Sequence, residues 1–598
     1  MGPEPTSIAT LADKHAIEAR PFAEQCPARN VYEMLRETAR AHPDRPAVTF
    51  QLKGGPKERL HTLTWRALHE EVTRLANLLR AVGVGPEEPV ALLLPNLPET
   101  AVATLAAMTA GIAAPINPLL EPFQISAILR ETGAKAVVTL KPFVKTDIAE
   151  KAAKAVRNAP ECRTVLEVDL GRYVGGLSGL VAPFLAPKRE PAGSAKVLPL
   201  APEMARMRGD RLDFAYEDGP SDVCAYFHTG GTTGAPKVAA HTQRGALYNG
   251  WLVKRLLLGP QDCVLCPLPL FHVLAAYPLL AACVASGAHF VIPTPAGYRG
   301  DGVMDNFWKL VERHRATFVC AVPTAISALM QRKVDADLST LQYVLCGSAP
   351  MPKQLFNRFE EATGVKILEG YGQTETTCLI SCNPMLGERK IGSVGLPMPF
   401  TETKILKRAN GDWMACETDE IGEICVESPG VIDGYLDPDR NAELFAAEGL
   451  IRTGDLGRVD ADGYLWITGR AKDLIIRGGH NIDPGAIEDA LLAHPEVAFA
   501  GAVGQPDAYA GELPCVYVEV AEGAAAEADA LKAFAADHVG EKAARPVHVE
   551  IMDELPKTAV GKVFKPDLRK KALTRVYAKA LKDAGLDAAI TVAEDPKL

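Results

Sequence analysis

The sequence lacks an excess of basic residues. Its 64 lysines and arginines are outnumbered by 74 aspartates and glutamates, which gives a formal net charge of -10 over 598 residues. A protein whose main partner is nucleic acid usually presents a basic face. The charge balance therefore argues against a nucleic-acid partner. It is compatible with a local site that binds a small anion.

Signals for export and for membrane insertion are also missing. The N-terminal residues contain no basic start followed by an apolar stretch, so we expect no secretory signal peptide. The thirteen cysteines follow no regular spacing, which is typical of a reducing compartment. The longest apolar run, 264–285, contains three prolines and a histidine, which would break and polarise a membrane-spanning helix. We expect a cytoplasmic protein with no transmembrane segment.

The chain is too long for a single compact core, so at least two domains are expected. Between 64 and 140, helically spaced apolar residues alternate with short apolar runs, the pattern of a parallel sheet wrapped by helices. The predicted fold class is α/β: a large N-terminal domain of α/β sheets plus a β-rich subdomain, then a small α+β C-terminal domain. The expected boundaries are a leader at 1–60, the large domain at 61–470 with its β-rich part at about 388–468, and the C-terminal domain at 473–598.

A glycine- and threonine-rich stretch, HTGGTTGAPK at 228–237, follows an apolar strand predicted at 223–227. Glycines let the backbone approach a ligand, and hydroxyls with a lysine can converge on phosphate oxygens. The composition predicts a phosphate-binding loop at the carboxyl end of a strand; a plain turn between strands is the alternative. It is not the P-loop of the NTPases, because proline rather than glycine precedes the lysine. The residues assigned to phosphate are Thr229, Gly230, Gly231, Thr232, Thr233, Gly234 and Lys237.

Six further motifs follow in order: PLFH at 269–272, GSAP at 347–350, YGQTE at 371–375, TGDLG at 453–457, GRAKDLIIRGGHNI at 469–482 and PKTAVGK at 556–562. With the loop at 228–237 they resemble the acyl-adenylate-forming family, which comprises acyl-CoA synthetases, adenylation domains of peptide synthetases and luciferases. The resemblance covers 63–562 and implies two half-reactions. A carboxylate attacks the α-phosphate of ATP and expels pyrophosphate, and the thiol of CoA then attacks the acyl adenylate.

The resemblance implies catalytic roles for three matched residues in the first half-reaction. Lys562 would bridge the attacking carboxylate and the α-phosphate, where negative charge develops. Thr374 would contact the α-phosphate, and Glu375 would hold Mg²⁺, a cation that prefers oxygen ligands. A capping role at a helix start is the alternative for the Thr-Glu pair.

The same resemblance implies a nucleotide site. Tyr371 would offer a flat face to adenine, Asp455 would accept hydrogen bonds from the ribose hydroxyls, and Arg470 would add a cation nearby. The remaining residues assigned to the nucleotide are Gly347, Ser348, Ala349, Gly372 and Gln373.

The second half-reaction would use another face of the C-terminal domain. The resemblance implies that the C-terminal domain is mobile about a hinge at 471–472. Its rotation about Lys472 would withdraw Lys562 and bring 477–481 to the site. The residues assigned to the pantetheine arm of CoA are Arg477, Gly478 and Gly479.

The acid itself is less defined. His272 would lie by the acyl site and gate the carboxylate, with a core histidine as the alternative. The positions that the resemblance places around the acid are His272, Ala275, Ala276, Val322, Pro323, Cys346, Ala349, Gly372, Thr377 and Cys378. They are small and mostly apolar, and include no lysine or arginine to pair with a second carboxylate, which favours a hydrophobic monocarboxylic acid.

The leading interpretation is an AMP-forming acyl-CoA ligase that uses ATP, Mg²⁺ and CoA, in fatty acid and lipid metabolism. The alternatives are an adenylating enzyme that loads a carrier protein, an aryl-CoA ligase, or a nucleotide-binding protein that has lost catalysis. An oily substrate would be compatible with peripheral membrane contact. The sequence defines neither the chain length of the acid nor the oligomeric state.

Overall fold

The fold is taken from a computed structural model, which describes residues 7–175, 185–216, 222–229, 237–409, 411–447, 449–478, 480–521, 523–558, 561–586 and 588–592. The first part contains α1 (Leu11–Glu18), α2 (Phe22–Gln25), α3 (Val31–Ala41), β1 (Pro46–Phe50) and β2 (His61–Thr64). The next elements are α4 (Trp65–Ala81), β3 (Pro89–Leu93), α5 (Pro98–Ala110), β4 (Ile112–Pro115), α6 (Pro122–Thr132), β5 (Ala136–Leu140), α7 (Ile148–Val156), β6 (Thr164–Val168), β7 (Lys196–Pro199), α8 (Leu200–Met204), β8 (Val223–Thr229) and β9 (Lys237–Thr242).

The middle of the chain contains α9 (Gln243–Leu256), β10 (Cys263–Leu265), α10 (Val273–Ala275), α11 (Ala282–Ser286), β11 (His289–Ile292), α12 (Val303–His314), β12 (Phe318–Ala321), α13 (Pro323–Leu329), β13 (Tyr343–Cys346), α14 (Lys353–Thr363), β14 (Lys366–Gln373) and β15 (Cys378–Cys382). The β-rich part contains β16 (Leu396–Pro397), β17 (Glu402–Ala409), β18 (Asp412–Ala415), β19 (Gly422–Glu427), β20 (Phe445–Ala447), β21 (Leu450–Val459) and β22 (Leu465–Arg470). The last elements are β23 (Ile475–Arg477), β24 (His480–Ile482), α15 (Pro484–Leu492), β25 (Val497–Asp507), β26 (Gly511–Val520), α16 (Ala528–His538), β27 (His548–Met552) and α17 (Lys565–Asp583).

The first large sheet has the strand order β7-β6-β5-β3-β4-β8-β9 within the described residues. Its strands are parallel except at the β8–β9 hairpin. Helix α4 begins after Thr64, whose hydroxyl accepts a hydrogen bond from the Ala67 N–H at 3.2 Å. Such a cap satisfies a donor that the first turn leaves without a partner. The alternation predicted between 64 and 140 is confirmed, and with it the α/β class.

The second large sheet has the order β16-β15-β14-β13-β12-β10-β11-β1-β2. Strands β10 to β14 are parallel, whereas β15 and β16 are antiparallel additions. The apolar run at 264–285 forms β10, α10, a π-helical segment (Ala276–Ala281) and α11, so the proline-bearing run is a buried strand and an irregular helix. None of the helices that the structure describes is long and apolar enough to cross a membrane.

Two smaller sheets complete the fold. Strands β17 to β22 form one, in the order β18-β17-β19-β21-β20 with β22 beside β21. Strands β23 to β27 form the other, in the order β24-β23-β26-β25 with β27 beside β26, and α15 to α17 accompany it. The boundaries proposed from the sequence for these domains stay predictions.

The N-terminal segment lies across the large domain. The ring of Phe22 packs 5.6 Å from Tyr248, 5.4 Å from Trp251 and 5.9 Å from Phe400, measured between ring centres. Ile8, which is only 4% exposed, closes with Ser7 a small apolar cavity between α9 and strands β13 and β15. Strand β1 belongs to the second large sheet. Residues set apart as a leader by the sequence thus pack against the main body of the fold.

Candidate active site

The carboxyl ends of the parallel strands of the second large sheet carry one group of the predicted site residues. Strand β14 delivers Tyr371, and a short turn (Thr374–Thr376) joins it to β15. A Cβ atom on Gly372 would lie 1.6 Å from the Cys378 carbonyl oxygen, so only glycine allows β14 and β15 to approach this closely. Residues Gly347 to Ala349 follow β13, the neighbouring strand, and Ser348 has a left-handed φ of 70°.

Asp455 is the centre of a buried polar cluster. Its carboxylate accepts a hydrogen bond from the Tyr371 hydroxyl at 2.6 Å and another from Arg470 Nε at 2.9 Å. Asp455 lies opposite Arg470 in the β21–β22 pair and is 4% exposed. Burial, and then the Asp455 charge, raise the pKa of Tyr371 well above its ordinary value, so the hydroxyl remains a donor. The structure therefore brings Tyr371, Asp455 and Arg470 together.

Lys562 reaches this cluster from the C-terminal domain. Burial lowers the pKa of Lys562 to about 8; the Arg470 charge lowers it too, while Asp455 and Asp473 raise it. His272 lies near Lys562 as well, since burial and then the Lys562 charge lower the pKa of this imidazole to about 4. Lys562 is therefore close to both the Asp455 cluster and His272.

Two histidines border the site and are neutral at pH 7. Burial, followed by the neighbouring His272, lowers the pKa of His228 to about 4, and His228 Nε2 accepts a hydrogen bond from the Asn117 N–H at 3.1 Å. The His272 Nδ1 atom accepts a hydrogen bond from the Leu274 N–H at 3.3 Å. Neither ring brings a positive charge to this region.

Glu375, Lys237 and Lys472 lie near one another. Tyr435 donates a hydrogen bond to the Glu375 carboxylate at 2.6 Å, and Lys237 Nζ lies 4.8 Å from the Tyr435 ring centre. Burial and the Lys472 charge lower the pKa of Lys237, whereas Glu375 raises it. Lys237 pairs with Thr229 at the ends of β8 and β9. The loop residues Gly230, Gly231, Thr232, Thr233 and Gly234, assigned to phosphate, lie outside the described residues.

His241 supports Thr374, although no motif in the sequence points to this histidine. Its Nε2 lies 2.8 Å from the Thr374 carbonyl oxygen, and its Nδ1 lies 3.0 Å from the Tyr277 hydroxyl. Burial lowers the pKa of His241 to about 3, so the ring is neutral and donates through Nε2 while Nδ1 accepts from the tyrosine. Tyr435 was missed in the same way. Both partners are distant in sequence from the motifs that they hold.

Among the described residues, no group of three or more His, Cys, Asp or Glu side chains is suited to hold a metal ion. Mg²⁺ commonly binds to one or two carboxylates together with substrate phosphates rather than in an all-protein cage. Glu375 is partly exposed beside Lys237, so its carboxylate suits that mode of binding.

The residues assigned to CoA make contacts within the C-terminal domain. Arg477 Nη1 donates to the Ala543 carbonyl at 2.7 Å, and the Gly478 N–H donates to the Ala510 carbonyl at 2.7 Å. Gly479 lies outside the described residues. Neither of these contacts places Arg477 or Gly478 beside Lys562 or the Asp455 cluster.

A cleft of about 1810 Å³, with predominantly apolar walls, separates parts of the large and C-terminal domains. It reaches Val322 and Thr324 on one side and Gly561, next to Lys562, on the other. Its apolar lining includes Leu140, Phe143, Leu170, Phe271, Met304 and Leu555.

Known proteins resemble the chain over nearly its whole length. A family model for AMP-binding enzymes matches residues 35–436, and a model for the AMP-binding enzyme C-terminal domain matches 486–562. Marinolic acid–CoA ligase of a Pseudoalteromonas species is 36% identical and covers 99% of this chain and 89% of its own. Long-chain-fatty-acid–CoA ligase of Bacillus subtilis is 29% identical, over 90% and 94%, and sulfoacetate–CoA ligase of Cupriavidus necator is 33% identical, over 87% and 94%.

Solved structures agree with the fold. ATP-bound MatB of Rhodopseudomonas palustris superposes with a TM-score of 0.76 at 26% identity, covering 91% of this chain and 98% of that one. An anthranilate CoA ligase in complex with anthranoyl-AMP gives a TM-score of 0.77 at 24% identity, covering 92% and 98%. The chain belongs to the AMP-binding enzyme family. Within that family it is an AMP-forming acyl-CoA synthetase, which uses ATP and CoA.

Proposed function

We propose that the enzyme activates a hydrophobic monocarboxylic acid. The observation that carries this proposal is the absence of a cation for a second acidic group: the described residues assigned to the acid include no lysine or arginine, and His272 and His228 are neutral at pH 7. An unpaired second carboxylate or a sulfonate would lose its hydration without compensation. The cleft that reaches Val322 offers predominantly apolar walls to the tail of such an acid, and its lining also includes Lys53, Lys145, Arg299, Lys557 and Lys571.

In the proposed first half-reaction, a carboxylate oxygen forms a bond to the α-phosphorus of ATP and the bond to pyrophosphate breaks. Lys562 would neutralise the charge on the carboxylate and α-phosphate as they meet, and Thr374, held through its carbonyl by His241, would contact the phosphate. Thr229, Lys237 and the loop between them would hold the outer phosphates. His272 would border the carboxylate as a neutral group.

The nucleoside would be held by the Asp455 cluster. Each oxygen of Asp455 accepts one hydrogen bond from the protein, from Tyr371 or Arg470, and can accept another from a ribose hydroxyl. Gly347, Ser348, Ala349, Gly372 and Gln373 would surround the base and α-phosphate. Glu375 would hold Mg²⁺, which would neutralise phosphate charge when bound.

In the proposed second half-reaction, the sulfur of CoA bonds to the acyl carbon and AMP leaves with the bonding electron pair. Rotation about Lys472 would remove Lys562 and present Arg477, Gly478 and Gly479 to the pantetheine arm. The CoA ligases among the relatives support CoA over a carrier protein as the acceptor.

A matched pair of acids tests the proposed substrate class. We expect octanoate to release pyrophosphate at least about tenfold faster, as kcat/KM, than octanedioate, which adds only a second carboxylate. The screen extends from acetate to palmitate and includes benzoate, cinnamate and sulfoacetate, with and without CoA. A preference for octanedioate or sulfoacetate would refute the substrate class. A single turnover of pyrophosphate that CoA does not accelerate would favour loading of a carrier protein, and preference for benzoate would favour an aryl-CoA ligase.

The pH dependence of adenylate formation tests the charge on Lys562. The free enzyme holds this lysine with a pKa of about 8, so its ammonium form, the proposed active form, is lost as the pH rises through 8. We expect kcat/KM for ATP to decline above about pH 8. Lys562→Arg keeps its charge, and its weaker activity should not decline in that range. A wild-type profile that stays flat to about pH 9.5 would contradict the proposed role.

A further inference from the structure

A tight turn on the large domain carries Arg299 toward the C-terminal domain. The Tyr298 N–H donates to the Pro267 carbonyl at 3.0 Å, and the Tyr298 hydroxyl donates to the Cys320 carbonyl at 3.1 Å. The Thr294 hydroxyl donates to the Gly297 carbonyl at 3.1 Å. These bonds attach the turn to the segment after β10 and to β12. The backbone at Arg299 is therefore held in place near the carboxyl ends of these strands.

The segment that holds Lys562, residues 556–564, is here called the lysine hairpin. Thr558 organises its described part. The Thr558 N–H donates to the Lys562 carbonyl at 2.7 Å, and the Lys562 N–H donates to the Thr558 hydroxyl at 3.1 Å. The Thr558 carbonyl accepts a hydrogen bond from the Gly561 N–H at 2.9 Å. The backbone position of Lys562 therefore follows that of Thr558.

Arg299 joins these two units. Its Nη2 donates to the Thr558 carbonyl across the domain boundary at 3.1 Å. Gly561, the residue before Lys562, has a φ of 83° and packs so closely that an added Cβ would lie 2.7 Å from the Thr324 hydroxyl. The lysine hairpin thus contacts the large domain at two points, and the arginine bond is the polar one of these two contacts.

We propose that Arg299 is a positioning residue for the first half-reaction, a role that rests on the proposed function of Lys562. Arg299 holds Thr558, and through it Lys562, at the carboxyl ends of the strands. The proposed rotation of the C-terminal domain separates Thr558 from Arg299, so the bond exists in the adenylating arrangement alone. An interaction made in one of two arrangements shifts the equilibrium between them. The partner is a backbone carbonyl, so the contact does not depend on the side chain at 558.

The test compares Arg299→Met, Arg299→Lys and the control Arg66→Met. Arg66 is another exposed arginine of the large domain, and it pairs with Asp44 at 3.0 Å. Single-turnover formation of acyl adenylate should fall about fivefold in Arg299→Met, the loss of one partly exposed hydrogen bond from a charged donor. Arg299→Lys should recover part of that rate. Thioester formation from preformed acyl adenylate and CoA, together with both rates of Arg66→Met, should stay within about twofold of wild type.

Equal losses in both half-reactions of Arg299→Met would assign Arg299 a structural role and overturn the proposal, as would an unchanged adenylation rate. Hydrogen exchange of residues 556–564 gives a readout independent of turnover. We expect faster exchange there in Arg299→Met but not in Arg66→Met. If exchange responds as expected while Lys562→Ala retains full adenylation, the contact exists and the proposed function of Lys562 fails. If Lys562→Ala is inactive while exchange is unchanged, only the Arg299 proposal fails.

Discussion

Replacing Lys562 by alanine is expected to slow acyl-adenylate formation by about 100-fold to 1000-fold, the cost of removing one preorganised donor from a developing anion. The surroundings explain why so much depends on this side chain. Its charge is buried near Asp455 and His272, and the loss of hydration lowers the pKa of Lys562 to about 8. The measurement is single-turnover adenylate formation at pH 7.5, beside thioester formation from preformed adenylate, which should be little affected.

Lys557 provides the matched control. It belongs to the same hairpin, but its Nζ pairs with Glu519 at 2.7 Å and lies 4.3 Å from the Phe499 ring centre, both within the C-terminal domain. Lys557→Ala should lower stability by about 1 kcal/mol and leave the adenylation rate within about twofold. If both alanine variants lost adenylation equally, disruption of the hairpin rather than loss of the Lys562 charge would be the cause.

Replacing Asp455 by alanine is expected to have the second-largest effect, a fall of about 100-fold in kcat/KM for ATP, as expected when charged hydrogen bonds are lost. The variant would remove the proposed acceptor of the ribose hydroxyls and the protein partner of both Tyr371 and Arg470. Because the Arg470 side chain is 49% exposed, solvent would screen its charge, and the cost in stability should be only about 1 to 2 kcal/mol. Steady-state kinetics and a denaturant midpoint would separate the two effects.

Two further expected results distinguish the proposed role of Asp455 from a general loss of activity. Tyr371→Phe removes one donor to Asp455 but keeps the carboxylate, so it should cost only about fivefold. Asp455 also raises the pKa of Lys562, so in Asp455→Ala the alkaline decline of activity should begin below about pH 8. An Asp455→Ala enzyme whose KM for ATP and pH profile match those of wild type would rule out the proposed nucleotide site.

Local regularities account for the part of the fold that the sequence could predict. The Thr64 cap, the helical spacing after it and the apolar run at 136–140 all depend on residues close in the chain, and each predicted element is present. The edge strand β7 and the helix α8 that follows it are elements that the sequence analysis did not predict. Strand β7 is only partly buried, so it has no apolar alternation to reveal it.

The candidate site, like the fold, was predictable only where it depends on residues close together in the chain. Motifs identified the types of residue that lie at the strand ends, but not their protein partners. The bonds from Tyr371 to Asp455, from His241 to Thr374 and from Tyr435 to Glu375 join residues that lie 84, 133 and 60 positions apart. No local pattern encodes such pairs, because they arise when strands from different parts of the chain meet.

The N-terminal segment packs against the large domain but lies outside the part of the chain that the family models match. The matched range is therefore shorter than the part of the chain that packs together. A shortened chain cut to 35–562, the outer limits of the two family matches, would retain every motif of the site. It would also remove Phe22 and Ile8, uncovering Trp251 and the apolar face of α9, and would remove α17, whose Leu568 is 1% exposed. Newly exposed apolar surface of that kind promotes aggregation. The ends of a truncated or chimaeric form of this enzyme are therefore best chosen so that the N-terminal segment and α17 stay with the domains on which they pack.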